Sequence, residues 1–184
     1  MASRHEVRLC GRGGQGIILA GHITGQAAAI FEHKNATFIQ DYGPEARGGA
    51  CRADVVISDE RVLYPYIIAP SVLVAMSQEA YNKYCPKNRE DTLVIIDKDL
   101  VKPETTKGKK LLALPAVRIA EELGKVAVAN AVMLGFFTAV ADIVSVEAMR
   151  ESISVSMPKD TVELNMMAFE RGYAYGLEGV DSNR

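Results

Sequence analysis

The sequence predicts a three-layer α/β fold: a mostly parallel sheet flanked by helices, closing on a helical C-terminal portion. Three observations carry this expectation. Short unbroken apolar runs at Val72–Met76, Leu93–Ile96 and Leu111–Leu114 read as strands covered on both faces. Helix-like segments at Gln78–Tyr84 and Ala116–Leu123 follow the first and last of them, so strands and helices alternate as in a parallel sheet. From Asn130 onward the strand pattern stops, and helical spacing takes over at Asn130–Ala141, Val146–Val155 and Lys159–Tyr175.

The N-terminal part follows the same logic. Val7–Cys10 alternates after a charged start and reads as a first strand. Gly11-Arg12-Gly13-Gly14-Gln15-Gly16 interrupts it. Ile17–Phe31 then shows helical spacing, with a face of small residues (Gly21, Gly25, Ala28, Ala29) suited to pressing on a sheet. Thr37–Gln40 reads as a second strand, Tyr42–Gly49 as a second glycine-rich loop, and Cys51–Ser58 as a third strand. No internal repeat, biased segment or linker divides the chain, so residues 1–184 are expected to form one domain.

Composition narrows the class. The 184 residues are 48% hydrophobic and 24% charged, in the range of ordinary globular chains. A net charge of −2 with scattered basic residues predicts no nucleic-acid or membrane partner, and Lys107–Lys110 reads as a solvated turn. The start of the chain runs directly into a strand, so no signal peptide is expected. The longest apolar stretch, Val126–Ala141, is too short and too interrupted to cross a bilayer. Three cysteines, Cys10, Cys51 and Cys85, lie far apart without CxxC spacing, which suits a reducing cytoplasm and buried small side chains. Such a set also argues against an iron–sulfur cluster on this chain, since clusters usually take four thiolates. His5, His22 and His33 are too scattered for a metal site. Asp97 and Asp99 read as solvated strand-end carboxylates, and Leu164–Phe169 as the apolar face of a helix.

The two glycine-rich loops carry the functional signal. Gly11, Gly13 and Gly16 match G-x-G-x-x-G between a strand and a helix, the context of a Rossmann-like phosphate site. There, glycines let phosphates approach the backbone, and the helix start offers unpaired N–H groups. Asp41, at the end of the second strand, is placed to bind a ribose in such a site. Against this, Gly14 creates a Gly-Gly pair and Gln15 stands where a small or apolar residue is usual. The bare motif leaves open a phosphate site, a tight turn for helix–strand packing, and a docking loop. In the second loop Arg47 can meet a phosphate or carboxylate through its planar fork, or be held by Glu45. Both loops follow strands, so both are expected on the carboxyl edge of the sheet, where α/β folds hold ligands.

Taken together, GRGGQG (Gly11–Gly16) and DYGPEARGGACRADVVIS (Asp41–Ser58) resemble the gamma subunit of 2-oxoacid:ferredoxin oxidoreductases. The nearest match is to the 2-oxoglutarate type, and the same module is similar to the gamma domain of pyruvate:ferredoxin oxidoreductases. Leu63-Tyr64-Pro65, Leu73–Tyr81 and Asn130–Gly135 fit as well, and the likeness fades after about Val155. The resemblance implies a cytoplasmic hetero-oligomer that decarboxylates a 2-oxoacid, joins the acyl group to coenzyme A and passes electrons to ferredoxin. It implies alpha and beta subunits as partners, with a delta subunit where the complex has one. Thiamine diphosphate, magnesium and iron–sulfur clusters would sit on those partners, with no cofactor firmly held, no metal bound and no catalytic residue on this chain. Gly11, Gly13, Gly14, Gln15, Gly16, Arg47, Gly48 and Gly49 would contact coenzyme A or the neighbouring subunit. Tyr42, Gly43, Pro44 and Glu45 would face a partner or the active site. Two other functions remain at this point: a stand-alone NAD(P)-dependent oxidoreductase built on the first loop, and a structural adaptor. The first lacks a convincing proton-transfer residue, since Tyr81 and Lys83 are poorly spaced for that role.

Overall fold

The computed structural model describes residues 4–43, 49–87, 89–103 and 110–181. Among these, six strands form one sheet: β1 (Arg4–Arg12), β2 (Asn35–Asp41), β3 (Ala50–Ser58), β4 (Val72–Ala75), β5 (Leu93–Asp97) and β6 (Leu111–Leu114), in the order β2-β3-β1-β4-β5-β6. The described helices are α1 (Ile17–Gln26), α2 (Gln78–Tyr84), α3 (Ala116–Glu122), α4 (Ala129–Ala141), α5 (Val146–Ser156) and α6 (Val162–Asp181). The expected α/β layering is present, but the sheet is mixed. Strands β1, β4, β5 and β6 are parallel, while β3 runs antiparallel to both β1 and β2. The cause is the connection between β2 and β3. Residues 42–49 are too few to carry a crossover, so the chain can only double back as a hairpin. β2 therefore runs in the direction of β1 but one strand away from it.

The two sheet faces are covered unequally. Val7 and Leu9 of β1, with Ala53, Val55 and Ile57 of β3, belong to the large core shared with the helices α1, α3, α4, α5 and α6. We call this the front. On the back, Cys10, Leu73, Ala75, Val94 and Ile96 pack against Ala80, Tyr81 and Tyr84 of the short α2. Helix α2 has the span expected from the sequence, and Ser77 caps it by accepting from Ala80 N at 3.3 Å. The helix expected over Ile17–Phe31 is present, but its last turn, Ala27–Phe31, widens to π spacing, with Glu32 N donating to Ala27 O. Helix α4 is buried around nearly its whole circumference, which explains why its sequence is apolar without interruption by charge. It is crossed by α6 at backbone contact. A Cβ on Gly135 would lie 1.9 Å from Phe169 O, and one on Gly172 would lie 1.9 Å from Val132 O.

Candidate functional site

The site expected from the two loops lies on the carboxyl edge of β1 and β2. Gly11 is not part of a loop: it belongs to β1, opposite Cys51. It is glycine because of what lies over it. A Cβ there would meet Gln15 Oε1 at 2.6 Å and Ile17 Cδ1 at 2.7 Å. The turn proper is Gly13–Gly16, with Gln15 N donating to Arg12 O at 3.1 Å and positive φ at Gly14 (94°) and Gly16 (72°). Gly13 N donates to Gly49 O at 3.2 Å, which ties the two loops to each other. The expectation that both loops emerge on one edge is met.

Gln15 has a role that its sequence position did not suggest. Its Oε1 accepts from Arg12 N at 2.6 Å, and its Nε2 donates to Met76 O at 2.7 Å. Both ends of the amide are thus bonded within the protein, linking the end of β1 to the end of β4. Gln15→Ala would leave the Met76 carbonyl without this donor in a buried setting. It is expected to cost about 1–2 kcal/mol, read as a lower urea midpoint at unchanged slope.

Gly16 precedes α1 and, lacking a side chain, leaves the first-turn N–H groups uncapped. Asn130, at the start of α4, donates from Nδ2 to Gly16 O at 3.3 Å and is 3% exposed. A Cβ on Gly16 would strike that amide at 2.3 Å. Sequence reasoning missed Asn130, and no local signal announced it. Beside this turn an open pocket of about 600 Å³ is lined by Gly13, Gly14, Gly16, Ile18, Phe38 and Tyr42, among others. It offers uncapped helix N–H groups on one wall and apolar side chains on the other, a combination suited to an anionic group attached to an apolar or aromatic body. His22, exposed on α1, meets Phe38 edge-on at 6.1 Å.

In the second loop Tyr42 is exposed, and Gly43 takes φ 72° with its N–H donating to Asp41 Oδ1 at 2.9 Å. Gly49 supplies the carbonyl that meets Gly13. Pro44, Glu45, Arg47 and Gly48 lie outside the described residues. Asp41 is not placed for a ribose. Its carboxylate is taken by Gly43 N and by Arg52, with Nε 3.4 Å from Oδ2. In a dinucleotide fold the acidic residue ends the parallel strand next to β1, and here antiparallel β3 occupies that place. This removes the ribose contact on which the NAD(P) reading drew.

Asp97 is fully buried rather than solvated, because Oδ2 accepts from Val117 N at the start of α3 and Oδ1 from Asp99 N, both at 2.9 Å. Cys10 and Cys51 are buried, and that burial pushes both thiols up, so they are protonated at neutral pH and act as small core residues. Among the described residues no His/Cys/Asp/Glu group suits a metal ion, and no helix is long and apolar enough to cross a membrane.

Comparison with known proteins gives the family and the fold. The family described as pyruvate ferredoxin/flavodoxin oxidoreductase matches residues 6–175, so the likeness continues well past Val155. The 2-oxoglutarate synthase subunit KorC of Methanocaldococcus jannaschii is 48% identical over 180 residues, covering 95% of this chain and 95% of that protein. The keto/oxoacid ferredoxin oxidoreductase gamma subunit of Geobacter sulfurreducens superposes with a TM-score of 0.85 at 37% identity, covering 96% of this chain and 98% of that one. A 2-oxoglutarate:ferredoxin oxidoreductase chain from Magnetococcus marinus, solved with 2-oxoglutarate, coenzyme A and succinyl-CoA bound, shares the fold. Its TM-score is 0.85 at 23% identity, and the match spans 94% of this chain but 31% of that longer one. The chain belongs to the pyruvate ferredoxin/flavodoxin oxidoreductase family, and it matches a gamma subunit of that family over nearly its whole length.

Proposed function

We propose that this chain is the gamma subunit of a 2-oxoglutarate:ferredoxin oxidoreductase and that its carboxyl sheet edge holds coenzyme A for the assembled enzyme. The reaction converts 2-oxoglutarate and coenzyme A to succinyl-CoA and carbon dioxide, with two electrons leaving to ferredoxin. Catalysis belongs to the complex. Thiamine diphosphate, magnesium and the iron–sulfur clusters are assigned to the alpha and beta subunits, and to a delta subunit where there is one. The cysteines here do not fit a cluster: Cys10 packs in the back core and Cys51 in the front core.

The single observation that carries the reading is the Gly13 N to Gly49 O bond, which joins both loops beside the uncapped start of α1 and its pocket. Coenzyme A has the matching chemistry: phosphates for the N–H groups of Gly14, Gly16 and the first turn of α1, and an apolar arm and adenine for Phe38 and Tyr42. Arg47, within the second loop, would add a charge-assisted contact to a phosphate.

The test is steady-state kinetics of the assembled enzyme carrying Arg47→Ala. A lost charge-assisted bond of about 1.5–3 kcal/mol predicts a KM for coenzyme A raised roughly ten- to a hundredfold, with the KM for 2-oxoglutarate unchanged. An unchanged coenzyme A dependence in an intact complex would remove coenzyme A from this edge. Loss of assembly would instead assign the loops to the subunit interface.

A further inference from the structure

Among the described residues, helix α2 covers the back of β1 and β3 near the glycine loops, and no helix lies beneath β2 and the start of β1. What covers that part is the segment between β3 and β4, residues 59–71, and this segment is built like a rigid strap. The buried Glu6 carboxylate accepts from Ile68 N at 2.8 Å and Ala69 N at 2.7 Å. Arg4 pairs with the same carboxylate and donates from Nη2 to Tyr64 O and Tyr66 O at 3.2 and 3.3 Å. Thr37 Oγ1 reaches Pro65 O at 3.1 Å, and Thr92 Oγ1 reaches Pro70 O at 2.7 Å. Two prolines further limit the backbone.

Such anchoring normally accompanies a segment that buries its side chains, but this one presents them outward. Leu63 is 83% exposed, Ile68 76%, Tyr66 56% and Tyr64 54%, with the two tyrosine rings 5.5 Å apart. Four large apolar side chains within six residues, fixed in place and turned to solvent, have the composition and preorganisation of an interface core. A flexible apolar loop would lose affinity by ordering on contact, whereas a strap already held by β1, β2 and the start of β5 does not.

We propose that this strap is the docking surface for the partner subunit that corresponds to the remainder of the longer Magnetococcus marinus chain. The occupant follows from that comparison. There, this fold makes up 31% of one polypeptide, so the remaining chain is tethered to it. On the reading of this chain as a separate subunit, a surface takes the place of that tether, and the partner packs over the strap's exposed side chains. The proposal rests on the reading of this chain as one subunit of the oxidoreductase. It is independent of the coenzyme A edge, because the strap lies at the opposite ends of β1 and β2 from the glycine loops.

The test uses a Leu63→Ser/Tyr66→Ser double variant, with Val155→Ser, exposed on α5, as a control. Each is co-expressed with the partner subunits, and affinity for the purified partner is measured by interferometry. Because the replaced side chains are exposed, the double variant should melt within about 2 °C of the parent protein. Its dissociation constant for the partner should rise at least about a hundredfold, with Val155→Ser unchanged. A stable complex with unchanged affinity in the double variant overturns the proposal. So does a parent chain that self-associates through the strap, seen as a dimer in sedimentation that the double variant abolishes. If the parent chain forms no complex with the partner subunits at all, the subunit reading itself fails, and that result cannot be mistaken for the first.

Discussion

Gly172→Ala is expected to destabilise this protein by about 3 kcal/mol, equivalent to roughly 6–12 °C in melting temperature for a chain of this size. The cause is the α4–α6 crossing. The added methyl would sit 1.9 Å from Val132 O and 2.7 Å from Val132 C. The obstacle is backbone, so no rotamer change relieves it. Gly135 is in the reciprocal position against Phe169 O, so the two helices are locked from both sides and can only move apart. Separation would open the layer between Val132, Phe136 and Phe169, which are all buried. Gly179→Ala on the same helix is the control. A Cβ there meets nothing within 4 Å, and removing a helical glycine should stabilise by about 0.5–1 kcal/mol. Equal effects of the two substitutions in thermal unfolding would contradict this account.

Arg8→Ala should cost a similar amount for an electrostatic reason. Arg8 on β1 makes a two-pronged bond to Asp54 on β3, at 2.7 and 2.8 Å, on the back of the sheet. Asp54 has a side-chain exposure of 7%, and Arg8 also faces the ring of Tyr84 at 5.4 Å. Burial alone would lower the Arg8 guanidinium, but the Asp54 bond and charge outweigh it and hold the group raised and ionised. Truncating Arg8 strands a buried carboxylate, which typically costs 3–5 kcal/mol. Arg52, 3.8 Å from Asp54, offers partial compensation, so about 3 kcal/mol is expected. Arg8→Met combined with Asp54→Leu should recover most of that loss, because an ion pair replaced by apolar side chains of similar size is often neutral. A urea-unfolding mutant cycle measures it. A double variant as unstable as the single one would show that packing, and not the stranded charge, is responsible.

Much of this fold is legible in the sequence because its signals are local. Val72–Ala75, Leu93–Asp97 and Leu111–Leu114 are strands where unbroken apolar runs announce them, and Ser77 marks the start of α2. The direction of β3 is less plain. It depends on the shortness of the connection between β2 and β3, a weaker cue than the alternation elsewhere. Burial of Asp97 depends on Val117 N, 20 residues away, and Gly16 depends on Asn130, 114 residues away. Neither partner is visible in a local window. The spacing of Gly172 and Gly176 hints at a close helix crossing, but Gly135 on the facing helix cannot be found that way. At the candidate site, Gly13, Gly14, Gly16, Gly43 and Gly49 gather at one edge because β1 and β2 run in the same direction, even with β3 between them. Gly11 and Gln15 differ: one lies inside a strand, and the other bonds within the protein.

The bond from Gly13 N to Gly49 O makes the two loops thermodynamically dependent on each other. A ligand that favours one arrangement of the first turn biases the hairpin end. A subunit that grips the hairpin end biases the turn by an equal free energy. On the proposed function, coenzyme A at the turn and any subunit contact at the hairpin end would be reciprocal. Whatever factor the partner adds to ligand affinity, the ligand returns to the strength of the complex.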